Sequence, residues 1–280
     1  MNFNEKLIAY IQLIRPVNVL ITFLSIPVAC WITGSKNWAI FLLSAITGAL
    51  VAAGANAIND VFDIDIDKIN KPTRPLPRGV LSINNARKLW LFSSAMAFGI
   101  NLYLNIYALL IVVFAVGTLY YYSKKLKRTV LIGNITVSLM TAMAFVYGGA
   151  LSKNISTAII PAVFAFLVNF ARELVKDAED VEGDRMYGAE TLAVKYGVRL
   201  TIRLSEIILF LLIALTILVA IASVYNVWFL YIVLVADVLL IVTVIILGRA
   251  YEASNSLKLA SKMLKVSMVV GLLSIIFGSI

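Results

Sequence analysis

Two rows of aspartates carry the arrangement in this chain best suited to chemistry. Asp60, Asp63 and Asp67 are matched in spacing by Asp177, Asp180 and Asp184, 117 positions later. On an α-helix, positions i, i+3 and i+7 fall within about 60° of one another at 3.6 residues per turn, so each triplet would set three carboxylates along one stripe. Such a stripe repels itself at neutral pH unless a cation lies among the carboxylates, and oxygen-only ligands of this kind suit Mg²⁺ rather than Zn²⁺ or copper. The chain has no His and a single Cys, Cys30, so it lacks the usual imidazole ligand and general base and forms no internal disulfide. Its chemistry must run on carboxylates, Lys, Arg, Tyr and Asn, with metal and phosphate the first suspects.

The neighbours of the two rows sharpen this reading. If the first helix continues to Asp67, Asn56 shares the face of Asp60, Asp63 and Asp67, Asn59 flanks it, and Asp65 points roughly the other way. After it comes Lys68-Ile-Asn-Lys-Pro-Thr-Arg74-Pro-Leu-Pro-Arg78-Gly79, where three prolines break any helix and fix a shaped loop. Arg74 and Arg78 would hang above the acids, and a guanidinium grips phosphate bidentately. In the second copy Glu173 stands where Asn56 was and Lys176 where Asn59 was, which suggests a pseudo-repeat. Between the copies lies Tyr120-Tyr-Tyr-Ser-Lys124-Lys125-Leu-Lys127-Arg128, aromatic and then basic, from which at least one Lys is expected to reach the site. Asp237 falls deep in a later apolar run, where a functional acid and a structural hydrogen bond are equally consistent with the sequence.

The elements that must hold these residues are membrane spans. With 61% hydrophobic and 14% charged residues and a mean hydropathy of +0.96, the chain is far from a soluble domain, whose charged fraction is nearer 25%. Runs of about 20 apolar residues predict nine spans, near 16–34, 38–58, 86–105, 107–123, 130–151, 155–175, 203–223, 226–248 and 261–280. The third and fourth meet at 104–107 without a loop, which leaves a count of eight or ten open. The first run has no small-residue cleavage site and reads as a retained span. With the N-terminus in the cytoplasm, every Lys and Arg except Lys36 and Lys153 lies on the cytoplasmic side, as the positive-inside rule requires, and both acid rows face the cytoplasm. Topological bias and attraction to anionic lipid together suffice to account for the net charge of +9, so roles for specific basic residues need separate arguments, and no nucleic-acid role or obligate protein partner is indicated. An acid at mid-bilayer costs about 2.5–3.5 kcal/mol, so each row must lie at a helix end or line a wet cavity.

Asn59-Asp60-x-x-Asp63-x-x-x-Asp67, the Asn70-Lys71-Pro72-x-Arg74-Pro75 loop and Asp177-x-x-Asp180-x-x-x-Asp184 together resemble the intramembrane UbiA prenyltransferase family, over nearly the whole chain. The resemblance implies an all-α, multi-pass fold of nine helices around a central cavity, formed by residues 1–280 as one domain, with Mg²⁺ binding an isoprenyl diphosphate. It places Mg²⁺ on Asn59, Asp60 and Asp63 and on Asp177 and Asp180, and the diphosphate near Asn59, Arg74, Arg78, Lys124, Lys127 and Lys176. Asp67 or Asp184 would accept the proton. The family's Tyr-x-x-x-Lys element fits as Tyr120 with Lys124 or Tyr121 with Lys125, and Lys127 is also available as its lysine. Lys176 to Asp184 is most similar to the branch that moves a geranylgeranyl group to the hydroxyl of geranylgeranylglyceryl phosphate in archaeal ether-lipid synthesis. The rivals are a member of the same family prenylating an aromatic quinone precursor and, more distantly, an ion or phosphate transporter whose acids would sit near the midplane.

Overall fold

The structure, a computed structural model, describes residues 3–249 and 254–280, and among these the regular elements are all helical. In chain order they are α1 (Phe3–Ile14), α2 (Pro16–Ile32), α3 (Trp38–Phe62), α4 (Ile64–Asn70), α5 (Ile83–Leu104), α6 (Ile106–Lys124) and α7 (Ile132–Leu151). Then follow α8 (Ile159–Glu179), α9 (Val181–Met186), α10 (Leu192–Tyr196), α11 (Val198–Ile221), α12 (Val227–Arg249) and α13 (Ser254–Gly278). Two compact units emerge: Met1–Lys127 with Met143–Ile159 and Met186–Gly188, and Arg128–Ala142 with Ile160–Arg185 and Ala189–Ile280.

Each of the nine expected spans coincides with a helix, but nine is only an approximate number of crossings. Among the described residues seven helices are long and apolar enough to cross a bilayer, and α1 with α2 makes an eighth if that pair, bent by 53°, is one span. The remaining helix, α5, has 22 residues but carries Asn84, Asn85, Arg87 and Lys88 in its first turns. Residues 250–253, in the basic 249–265 region expected at the cytoplasmic side, lie outside the described residues.

Local chemistry explains the breaks. A residue before proline is pushed out of the α region, and Arg15, ahead of Pro16, adopts φ 55° and ψ 74°. That left-handed turn separates α1 from α2. Between α5 and α6 a single extended residue, Asn105, replaces the missing loop, and its side chain accepts from the Ala108 N–H at 2.7 Å to cap α6. Ser82 and Asn85 form a capping box that starts α5 after the proline-rich loop.

The first unit packs closely because its helices meet through small residues. A Cβ on Gly148 would stand 2.9 Å from the Cys30 backbone nitrogen and 3.0 Å from the Ala29 carbonyl carbon, and backbone cannot yield as a side chain can. Gly148→Ala is therefore expected to destabilise the protein by about 1–3 kcal/mol, read as a lower midpoint of thermal unfolding in detergent. Gly99, with nothing near its would-be Cβ, should accept Ala without loss. A polar clasp joins three helices of this unit: Tyr147 donates to Asn101 Oδ1 at 2.6 Å, and Asn101 Nδ2 donates to Thr47 Oγ1 at 3.1 Å.

The second unit buries Leu174, Val175, Ile202, Leu209, Leu247 and Leu264 in one apolar cluster. Asp237 resolves as a structural group: Thr216 Oγ1 lies 3.0 Å from both of its carboxyl oxygens and ties α11 to α12.

Candidate active site

The first acid row sits where the second apolar helix ends. Asp60 closes α3, Asp63 stands in the break before α4 with φ −95° and ψ 0°, and Asp67 lies on α4. The helix thus does not run unbroken to Asp67, although the hydrogen-bond spacing persists: Asp63 N–H donates to Asn59 O at 3.0 Å and Asp67 N–H to Asp63 O at 2.8 Å. All three acids are buried, with 1% of Asp60, 1% of Asp63 and 3% of Asp67 exposed. Buried carboxylates persist only when charge or hydrogen bonds compensate them, and the unit supplies three cations. Arg15 pairs with Asp60, Arg74 pairs with Asp67 and also reaches Asp60 at 3.1 Å, and Lys127 pairs with Asp63. Asn59 Nδ2 donates to Asp63 Oδ2 at 2.7 Å. Asp65, out of phase with the others, faces outward and pairs with Lys68.

These partners shape the charges. Burial works against the Asp63 carboxylate, but the charge and hydrogen bond of Lys127, with Arg15 and Arg74 behind it, hold the group below the ordinary carboxylate range. Asp67 goes the other way: burial, joined by repulsion from Asp63 and Asp60, outweighs Arg74 and pushes it up. Lys127, disfavoured by burial as a cation, is held charged by Asp63.

The second unit builds the second row in the same way. Asp180 occupies the break between α8 and α9 as Asp63 does between α3 and α4, and Asp184 lies on α9. Asp180 N–H donates to Lys176 O at 2.9 Å and Asp184 N–H to Asp180 O at 3.1 Å, the same two bonds shifted by 117 residues. The pseudo-repeat expected from spacing is thus also a repeat of helix breaks. The charge environment differs: Asp177 accepts from Asn134 Nδ2 at 2.9 Å, whereas Lys176 and Arg172 both pair with Glu173, at 2.7 and 2.9 Å. Asp184 is buried.

Several residues separate from their expected places or join from elsewhere. Lys124 and Lys125 are exposed, and Lys127, on a 3-10 turn (Leu126–Arg128), is the lysine on the first row. Tyr120 turns inward, stacked on Trp90 at 5.2 Å and edge-on to Phe62 at 5.5 Å, while Tyr121 is exposed. Arg78 is exposed. Arg15 and Asn134 were not foreseen as site residues: Arg15 reads in sequence as a topological charge, and nothing in the spacing marks Asn134. The one signal for Arg15 was its place before Pro16, which forbids a helical turn there.

The donors suit a magnesium ion that arrives with its substrate. Among the described residues no three Asp, Glu, His or Cys side chains are gathered closely enough to hold a metal by themselves. Mg²⁺ commonly takes one or two carboxylates and completes its octahedron with water and phosphate oxygens. Asp63 Oδ1, buried and without a hydrogen-bond partner, is a donor atom of that kind. Arg15 should matter even without substrate. Arg15→Met is expected to destabilise the protein by less than the roughly 3–5 kcal/mol of a fully orphaned buried partner, because Arg74 still reaches Asp60. Thermal unfolding measured with and without added Mg²⁺ checks this, the metal being expected to recover part of the loss.

Comparison with known proteins shows the family and the fold. Residues 19–269 match the UbiA prenyltransferase family. A digeranylgeranylglyceryl phosphate synthase from Sulfurisphaera tokodaii is 37% identical over 89% of this chain and 91% of its own. One from Methanocaldococcus jannaschii is 35% identical over 99% of this chain and 98% of its own. A solved structure concerned with digeranylgeranylglyceryl phosphate synthase in membranes superposes with a TM-score of 0.74 at 33% identity, covering 98% of this chain and 99% of that one. A UbiA homolog from Archaeoglobus fulgidus, bound to GPP and Mg²⁺, shares the fold with a TM-score of 0.69 at 17% identity, over 95% of this chain and 99% of that one.

Proposed function

The chain belongs to the UbiA prenyltransferase family, a multi-pass membrane family, and from that premise we propose that it transfers a geranylgeranyl group from geranylgeranyl diphosphate to the free hydroxyl of geranylgeranylglyceryl phosphate, with Mg²⁺ as cofactor. The acceptor follows from the names of relatives that match along nearly the full length. The observation that carries the mechanism is the duplicated break, with Asp63 and Asp180 each standing at a helix end between two further acids. In this reading the two units form one domain, residues 1–280, and the two rows meet across one pocket. The basic loops beside them, read by the positive-inside rule, support a cytoplasmic face for that pocket.

Asn59, Asp60 and Asp63 on one side and Asp177 and Asp180 on the other would hold the metal. Mg²⁺, when bound, neutralises diphosphate charge and acts as a Lewis acid toward the leaving oxygen. Arg74 and Lys127, now paired with the first row, would turn part of their charge to the diphosphate as it leaves, and Lys176 would do so from the second. The allylic C–O bond to diphosphate breaks, a C–O bond to the glycerol oxygen forms, and the hydroxyl proton passes to Asp67 or Asp184. The prenyl chain needs a dry wall that protects the allylic carbon from water, for which 14 Phe, 12 Tyr and 4 Trp provide material.

The test is a reaction with purified protein in bilayer nanodiscs, Mg²⁺, radiolabelled geranylgeranyl diphosphate and a panel of acceptors. The expected product is the diether phosphate, identified by mass. A prenylated aromatic acid in its place would move the chain to the quinone branch, and solute flux without any product would return the transporter reading.

A further inference from the structure

We propose that the acceptor's phosphate monoester binds beside Arg78, in a cavity between α1 and the proline-rich loop, separate from the diphosphate site. The inference rests on the proposed function and assigns a second anion site within it. The cavity, about 230 Å³, is lined by Glu5, Ile8 and Gln12 of α1 and by Pro75, Arg78 and Val80 of the loop. It suits a polar headgroup and is too small for a 20-carbon chain.

The loop carries two guanidiniums with different tasks. Arg74 is committed to Asp60 and Asp67. Arg78, whose N–H donates to the Arg74 carbonyl at 3.1 Å, sits one turn further on, and its side chain makes no hydrogen bond or ion pair among the described residues. Their separation is fixed by the fold. Pro72, Pro75 and Pro77 stiffen the loop, and Leu76 is buried in a cluster with Ala9, Leu13, Ala57 and Leu81 that pins it onto α1 and α3.

The acceptor's chemistry asks for such a pair. Its nucleophilic hydroxyl and its phosphate sit on adjacent glycerol carbons, so a phosphate site must lie within a short reach of the reacting carbon yet apart from the metal-bound diphosphate. A guanidinium one turn from Arg74 meets both conditions and recognises phosphate bidentately. Gln12 adds an amide donor, and Ile8, Pro75 and Val80 offer apolar contact to the ether end of the glycerol. The outer face of α1, with Leu7 51%, Ile8 55% and Ile11 46% exposed, continues from the cavity as an apolar surface suited to the acceptor's own lipid chain. Glu5 is the acid in the lining, and it should weaken phosphate binding by repulsion.

Steady-state assays in nanodiscs of purely zwitterionic lipid test this. Arg78→Gln is expected to raise the acceptor KM about tenfold or more, the loss of a charge-assisted contact, with the KM for geranylgeranyl diphosphate within about twofold of wild type. Wild type should strongly prefer the acceptor over geranylgeranylglycerol, which lacks the phosphate. Arg78→Gln should lose most of that preference, Arg78→Lys should regain part of it, and Glu5→Gln should lower the acceptor KM. An Arg78→Gln protein with wild-type acceptor KM and preference, or one altered in donor KM instead, would overturn the assignment. So would an effect seen only when anionic phospholipid is added, since the cavity would then hold bulk lipid. A wild-type protein that makes no ether from the glyceryl phosphate would overturn the function itself, before any variant is compared.

Discussion

Asp63→Ala should lower diphosphate release from geranylgeranyl diphosphate by roughly three orders of magnitude, more than any other single change in the first unit. Two effects add. The substitution removes a buried carboxylate with a spare oxygen, and it strips Lys127 of its counter-charge. An ammonium left there stands where a divalent cation must bind, so the metal is opposed as well as unligated. Asp63→Asn keeps the volume and the link to Asn59 but not the charge, and it should lose nearly as much. Release of diphosphate is read in a coupled assay across a Mg²⁺ series, with gel filtration and thermal unfolding showing that each variant is folded. Diphosphate release by the folded variant at the wild-type rate across the whole Mg²⁺ series would place Asp63 outside the reacting complex.

Asp180→Ala is expected to match that loss from the other unit, and the combination Asp63→Ala with Asp180→Ala should be little worse than either alone. Groups that act on one transition state as a unit are strongly non-additive, because removing the first already forfeits what the second contributed. Rows that worked on separate ligands would multiply their effects instead, to about a millionfold. The comparison is strict because the two residues occupy equivalent helix breaks with the same pair of backbone hydrogen bonds. The backbone scaffold is therefore matched in the cycle, although the side-chain charges around the two residues differ.

Much of this was legible in the sequence because it is periodic. Apolar runs mark helices, and the shared spacing of Asp60, Asp63 and Asp67 with Asp177, Asp180 and Asp184 marks the repeat, although not the breaks at Asp63 and Asp180, which the spacing alone does not distinguish from one continuous helix. Pairings made across the fold were not legible. Arg15 meets Asp60 from 45 residues away, Lys127 meets Asp63 from 64, and Asn134 meets Asp177 from 43. No local pattern encodes such contacts. Arg15 depends on a left-handed turn before Pro16, and Lys127 is chosen over Lys124 by a 3-10 turn that follows α6. The crossing count was blurred for a different reason: α5 has the length of a span but begins with amides and cations, whereas α1 and α2 share one bent apolar stretch. The cavity beside Arg78 was equally hidden, since in sequence Arg74 and Arg78 look like two copies of one phosphate-binding residue.

A structure of the protein in a lipid bilayer with Mg²⁺ and a non-hydrolysable thio-analogue of geranylgeranyl diphosphate tests the central claim most directly. The account predicts density for one diphosphate bridged through metal to Asp60 and Asp63 on one side and to Asp177 and Asp180 on the other. A diphosphate resting on a single row, with the second row remote from it or open to the opposite membrane face, would contradict it.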